Sequence, residues 1–134
     1  MEGLLSRGLH SLSCFLALPP QTARMEKCME YRFTMENFEA EVLKSELPVL
    51  VDFYADWCGP CKMMGPVVEA FAGEMDGKMK VGKCNIDDSL AIAQKYRVTS
   101  VPTFIVFQNG QPVSTFMGAV SAQAFREKVM KALQ

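Results

Sequence analysis

At 134 residues the chain is the size of one ordinary domain, long enough to bury a core without metal or disulfide staples. Hydrophobic residues make up 49% and charged residues 22%, a globular balance that excludes a disordered or collagen-like chain. The formal net charge of -1 offers no electrostatic footprint for nucleic acid or an anionic membrane surface, and no apolar run reaches the roughly 18 residues that a spanning helix needs.

Residues 1–24 differ in character from the remainder of the chain. Leu5, Leu9, Leu12 and Leu16 would share one face of a helix, with Ser6, Arg7, His10, Ser11 and Ser13 between them. The preferred reading is a leader or spurious extension, with synthesis starting at Met25 or Met29, and poor packing is expected there. A mitochondrial presequence is the alternative, although Glu2 and the scarcity of arginine count against it. Arg7, Gly8 and His10 interrupt the apolar stretch of a secretory signal. The folded domain is therefore assigned to residues 25–134.

Tyr31-Arg32-Phe33 reads as a short strand, and Thr34 as the N-cap of a helix burying Phe38, Val42 and Leu43, which Pro48 stops. Val49 to Tyr54 is nearly all apolar, as a central strand covered on both faces would be, with Asp52 as its interruption. Gly59 to Met75 reads as a helix carrying Met63, Met64, Val67, Val68 and Phe71, with a kink expected at Pro66. Of the ten methionines, Met63, Met64 and Met75 are read as core and rim filling rather than as ligands. Met79 to Asn85 follows as a strand and Ser89 to Tyr96 as a short helix. Thr103 to Gln108 and Gln111 to Met117 form a hairpin around Asn109-Gly110, the favoured pair for a type I′ turn. Ser121 caps a last helix that buries Phe125, Val129 and Leu133. The pattern is α/β: a mixed sheet, crossovers and one closing hairpin, with helices on both sides.

Five cysteines, Cys14, Cys28, Cys58, Cys61 and Cys84, make an odd set with one close pair, which argues against a disulfide framework. Zinc would need four ligands, and the only histidine is His10. Cys58 and Cys61 fall at i and i+3 where a buried strand gives way to a helix, so they can close a small disulfide. At the helix N-terminus Cys58 is favoured as thiolate and hence as nucleophile. Cys61, one turn in and expected to be more enclosed, would resolve the mixed disulfide. Pro60 is tolerated at the helix start. The pair alone could equally be a packing contact or half a metal site. Cys84 reads as a small buried hydrophobe and Cys28 as exposed.

The stretch Val51-Asp52-Phe53-Tyr54-Ala55-Asp56-Trp57-Cys58-Gly59-Pro60-Cys61-Lys62 resembles the active-site signature of the thioredoxin family. The likeness continues through Lys83, Asn85-Ile86-Asp87, Val101-Pro102-Thr103, Asn109-Gly110 and Gly118. It implies the thioredoxin fold, a central five-stranded mixed sheet flanked by four helices, and reduction of protein disulfides by a Cys58–Cys61 redox pair. Asp52 matches the family's buried carboxylate, which assists proton transfer at the resolving cysteine; burial raises a carboxyl's pKa and suits it to that task. Lys83 matches the lysine that pairs with or tunes that acid. Pro102 matches a cis-proline facing the disulfide, Val101 would offer its backbone to an extended substrate, and Trp57, Gly59, Pro60, Gly118 and Ala119 would complete a docking surface. Tyr54 stands where many members carry tryptophan, which should affect packing more than chemistry.

The resemblance also implies that no cofactor or metal is bound and that reducing equivalents come from a thioredoxin reductase. The partners are then that reductase and disulfide-containing substrate proteins, with no nucleic acid or membrane. A monomer in the cytoplasm is expected, or in the mitochondrion if residues 1–24 are a transit peptide. Gly59-Pro60 resembles reducing members, whereas oxidants and isomerases of the family usually carry histidine for the proline. A non-catalytic scaffold is the reading from another class.

Overall fold

A computed structural model describes residues 30–134. The expectations for residues 1–24, and for His10, Cys14 and Cys28, lie outside the described residues. The elements run β1 (Glu30–Phe33), α1 (Glu39–Leu43), β2 (Val49–Tyr54), α2 (Gly59–Glu74), β3 (Lys80–Asn85), α3 (Leu90–Lys95), β4 (Thr103–Gln108), β5 (Gln111–Met117) and α4 (Ala122–Ala132). They build one five-stranded sheet in the order β1-β3-β2-β4-β5, parallel among the first three strands and antiparallel from β2 to β5. This is the expected thioredoxin fold.

Strand alternation assigns every core side chain to one of two faces. Leu50, Val81, Phe104 and Val106 turn towards α2 and α4, where they meet Met64, Val68, Phe71, Phe125 and Val129. Val49, Val51, Phe53, Cys84, Ile105 and Phe107 turn the other way and meet Phe38, Val42 and Ile92 of the α1 and α3 layer. Phe125 is fully buried with its ring edge-on to Phe71, Phe104 and Phe116, at centroid distances of 5.4, 5.1 and 5.8 Å. Such edge-to-face packing suits the ring quadrupoles.

Local signals explain most boundaries. Ser121 Oγ accepts the Ala124 N–H at 3.1 Å and caps α4. Asn109 and Gly110 have φ of 53° and 79°, both left-handed, as a type I′ hairpin requires. Gly110 is needed for a second reason: a Cβ there would stand 2.8 Å from the Leu43 carbonyl oxygen. α2 continues through Pro66 as one helix.

Two expectations need correction. The first helix is only one turn of wide helix. Its N-cap is Phe38, without a side-chain cap bond, and the expected cap Thr34 instead closes the preceding turn with Asn37, Thr34 N–H to Asn37 Oδ1 at 2.8 Å and Asn37 N–H to Thr34 Oγ1 at 3.3 Å. The Lys44 N–H then reaches back five residues to the Glu39 carbonyl at 2.9 Å. Met63 is not core: it is 71% exposed, while Met64 and Met75 are buried. The buried stripe of α2 runs through Cys61, Met64, Val68, Phe71 and Ala72, and Met63 lies about 100° around the helix from Met64. Among the described residues no helix is long and apolar enough to cross a membrane.

Candidate active site

The end of β2 delivers the chain from the middle of the sheet to the start of α2, and the two cysteines sit across that junction. Cys58 is the N-cap of α2, with extended φ and ψ of -95° and 114°. Gly59 and Pro60 follow as its exposed first residues, where the missing proline N–H leaves no helical bond unmade. Cys61 is one turn further, its Cα 5.3 Å from that of Cys58, and the two sulfurs are joined as a disulfide. The Cys61 N–H points at Cys58 Sγ, 3.1 Å away. An amide donor and the positive end of a helix dipole therefore converge on this sulfur, the combination that favours a thiolate.

Cys61 is not the more enclosed of the two. Exposure is 4% for Cys58 and 6% for Cys61. What separates them is their surroundings. Cys58 Sγ lies 3.6 Å from the Val101 carbonyl oxygen, on the side of the Val101-Pro102 loop. Cys61 lines a cleft of about 240 Å3 together with Asp52, Tyr54, Lys62, Gly65 and Lys83. A larger cleft, about 570 Å3, runs between α2 and α4 along Val67, Phe71 and Phe125 and does not reach either sulfur.

Asp52 closes the inner end of the smaller cleft. Its alternation on β2 turns it towards α2, and it is 1% exposed. Its Oδ1 has no hydrogen-bond partner among the described residues. Burial pushes its carboxyl up from an ordinary value of 3.8 to about 7, against a smaller downward pull from Lys83 and with a further push from Glu30. Lys83 is the register partner of Asp52 on β3. The two form no ion pair; among the described residues the salt bridges are Lys44–Glu39, Lys80–Glu41 and Arg126–Glu74. The Lys83 ammonium instead lies 5.6 Å from the centroid of the Tyr54 ring, a cation–π placement that holds the charge beside the cleft.

The docking residues come together around Cys58 only in part. Pro102 is buried and its bond to Val101 is cis. The Gly118 N–H donates to the Pro102 carbonyl at 2.9 Å, with Gly118 at φ 91°, which ties the end of β5 to the Val101-Pro102 loop. Trp57 is 69% exposed beside the pair. Ala119 is exposed after Gly118, with no polar link to the sulfurs. Cys84 is fully buried on the opposite face of the sheet, and burial pushes its thiol up.

Sequence reasoning misses three residues of this region. Asp87 Oδ2 accepts the Trp57 indole N–H at 3.0 Å and fixes the ring; an exposed indole with a donor to satisfy is the available signal. Met117, exposed before Gly118, takes a hydrogen bond from Ser100 Oγ on its sulfur at 3.3 Å. Glu30 stands one residue ahead of the strand expected at Tyr31, and period-two alternation past that boundary would place it on the Asp52 face.

A sulfur pair at a helix start, one sulfur favoured as an anion and the other backed by a protonatable acid, defines a class of protein: a dithiol that exchanges electrons with disulfides. The comparisons with known proteins agree. A family profile described as Thioredoxin matches residues 30–131. The chain is 45% identical over 98 residues to a protein named Thioredoxin from Porphyra purpurea, covering 73% of this chain and 92% of that one. It is 41% identical over 105 residues to Thioredoxin of Rickettsia felis, covering 78% of this chain and 100% of that one. It is 44% identical over 100 residues to Thioredoxin 1 of a Nostoc species, covering 75% and 94%. The chain belongs to the thioredoxin family, and its chemistry is thiol–disulfide exchange.

Proposed function

We propose that the chain reduces disulfides of substrate proteins with Cys58 as nucleophile, Cys61 as resolving thiol and Asp52 as the proton acceptor behind it. The Cys58 thiolate attacks one sulfur of a substrate disulfide, and the other leaves as a thiolate that takes a proton from water. Cys61 then gives its proton to the Asp52 carboxylate and attacks Cys58 Sγ. The mixed disulfide breaks, the second substrate sulfur leaves as a thiol after protonation, and the Cys58–Cys61 disulfide remains. A thioredoxin reductase returns the two electrons, since the sequence carries no flavin or nucleotide motif of its own.

The single observation that carries the assignment of roles is the Cys61 N–H aimed at Cys58 Sγ at 3.1 Å, which supports the anion on the first sulfur only. Asp52 suits the second step because an acid titrating near 7 can both take and return a proton at neutral pH. Lys83 tunes that acid through space. Trp57, Gly59, Pro60, Val101, Pro102, Gly118 and Ala119 form the surface on which an extended substrate segment docks, with the Val101 backbone beside the reacting sulfur.

Trapping distinguishes the two thiols. Cys61→Ser should accumulate substrate proteins on Cys58 as mixed disulfides that dithiothreitol releases, while Cys58→Ser should accumulate none and reduce no insulin. Equal trapping by the two variants would overturn the roles. The cytoplasm is the proposed compartment, and the N-terminus of the endogenous protein tests it: cleavage near residue 24 inside mitochondria would refute it.

A further inference from the structure

Asp52 is not the only acid on the α2 face of the sheet with a buried, unpartnered oxygen. Glu30 stands on β1 two strands away, separated from β2 by β3 alone. Alternation puts Glu30, Arg32, Val81, Lys83, Leu50 and Asp52 on one face, because Glu30 is in register with Val81, Arg32 with Lys83, and Lys83 with Asp52. The Glu30 side chain reaches inwards: its Oε2 is buried and, like Oδ1 of Asp52, has no hydrogen-bond partner among the described residues. Lys83 stands on the strand between them and pulls on both carboxyls, with its ammonium seated beside the Tyr54 ring. Arg32, the other cation on this face, is exposed.

Resting on the role proposed for Asp52, we propose that Glu30 is a positioning residue for the exchange reaction, sharing the Lys83 ammonium with Asp52 across three adjacent strands and so governing when Asp52 holds a proton. The charges that face Glu30 are Lys83 from β3, Glu69 from α2, Arg32 on its own strand and Asp52 from β2. Burial pushes the Glu30 carboxyl up; Lys83 and Arg32 pull it back and Glu69 adds to the push. On Asp52, Glu30 and Lys83 act with opposite signs. As an anion Glu30 makes a second negative charge on Asp52 costlier, and by drawing on the Lys83 ammonium it weakens the one cation that would offset that charge. Asp52 thus keeps its proton to higher pH than burial and the Lys83 ammonium together would dictate.

The test follows the Asp52 side-chain carboxyl carbon by NMR through a pH titration of the reduced full-length protein, and in parallel the pH profile of mixed-disulfide resolution in single turnover. Two strand spacings and a two-residue offset along the strands put the two positions about 12 Å apart. At dielectrics between those of a protein surface and water, removal of a charge at that range moves a titration by roughly 0.3 to 1 pH unit. Glu30→Gln should lower the Asp52 midpoint by that amount and carry the resolution profile with it. Glu30→Asp should leave both near the parent's. Lys83→Gln should move both upwards, and in that background Glu30→Gln should have a smaller effect. An Asp52 midpoint unmoved by Glu30→Gln would overturn the proposal, and so would a midpoint that moves while the resolution profile stays in place. Failure of the underlying role is read separately, as a resolution profile that Asp52→Asn leaves unchanged.

Discussion

Asp52 and Phe53 are neighbours on β2, both almost fully buried, yet they occupy opposite kinds of interior. Phe53 faces the α1 and α3 layer among Val49, Val51, Ile105 and Phe107, an interior that is apolar throughout. Asp52 faces α2 in a region that also takes in Lys83 and Glu30 and opens through a cleft. Both faces carry an apolar core, and the α2 face alone also accepts a destabilising group, at its Asp52 end. The sheet separates them by a single residue of pleat. This fold tolerates an awkward acid because the loss is confined to one side of a strand whose other side is close-packed.

Substitutions at these neighbouring positions should therefore act in opposite directions. Phe53→Ala should cost the most, about 3–5 kcal/mol in denaturant unfolding, and the loss should be nearly flat across acid and neutral pH, because the one titratable group beside the ring, the Cys84 thiol, is pushed up by burial and stays protonated there. A loss that varied strongly with pH would break the contrast. Asp52→Asn should stabilise. The unfolded carboxyl titrates near 3.8 and the folded one at about 7, so stability of the parent falls as pH rises between those values and levels off above the upper one. That span corresponds to at most about 4 kcal/mol, reduced by the roughly 1–3 kcal/mol cost of a buried amide without a partner. A net gain of roughly 1–3 kcal/mol is expected at pH 8 and none below pH 4; an equal gain at both would sink the linkage. Smallest, Ser121→Ala removes the α4 cap far from both positions. It should cost about 1 kcal/mol and leave insulin reduction at the parent's rate.

Much of this is legible in the sequence because the relevant signals are local. The apolar run from Val49 to Tyr54 marks the central strand and singles out Asp52 as the exception. Asn109-Gly110 marks the hairpin, Ser121 the last cap, and the Trp57 to Lys62 stretch the site. What escapes depends on three-dimensional neighbours. The wide turn at Lys44 is a backbone bond, Lys44 N–H to the Glu39 carbonyl, that no residue type in the segment marks. Met63 reads as filling because methionine tolerates either side of a helix edge. Lys83 is expected to pair with or tune Asp52, and register does bring them together, but the ammonium sits by the Tyr54 ring and close to Gly65, a seat that only three-dimensional neighbours define. Glu30 is lost to a strand boundary drawn one residue late.

None of Trp57, Val101, Pro102 or Gly118 lines the cleft behind Cys61, so the opening beside Asp52 shares none of these residues with the face proposed for docking. On the proposed roles, electrons and protons would leave by separate doors, and a large client pressed over Cys58 would block the front without stopping the back.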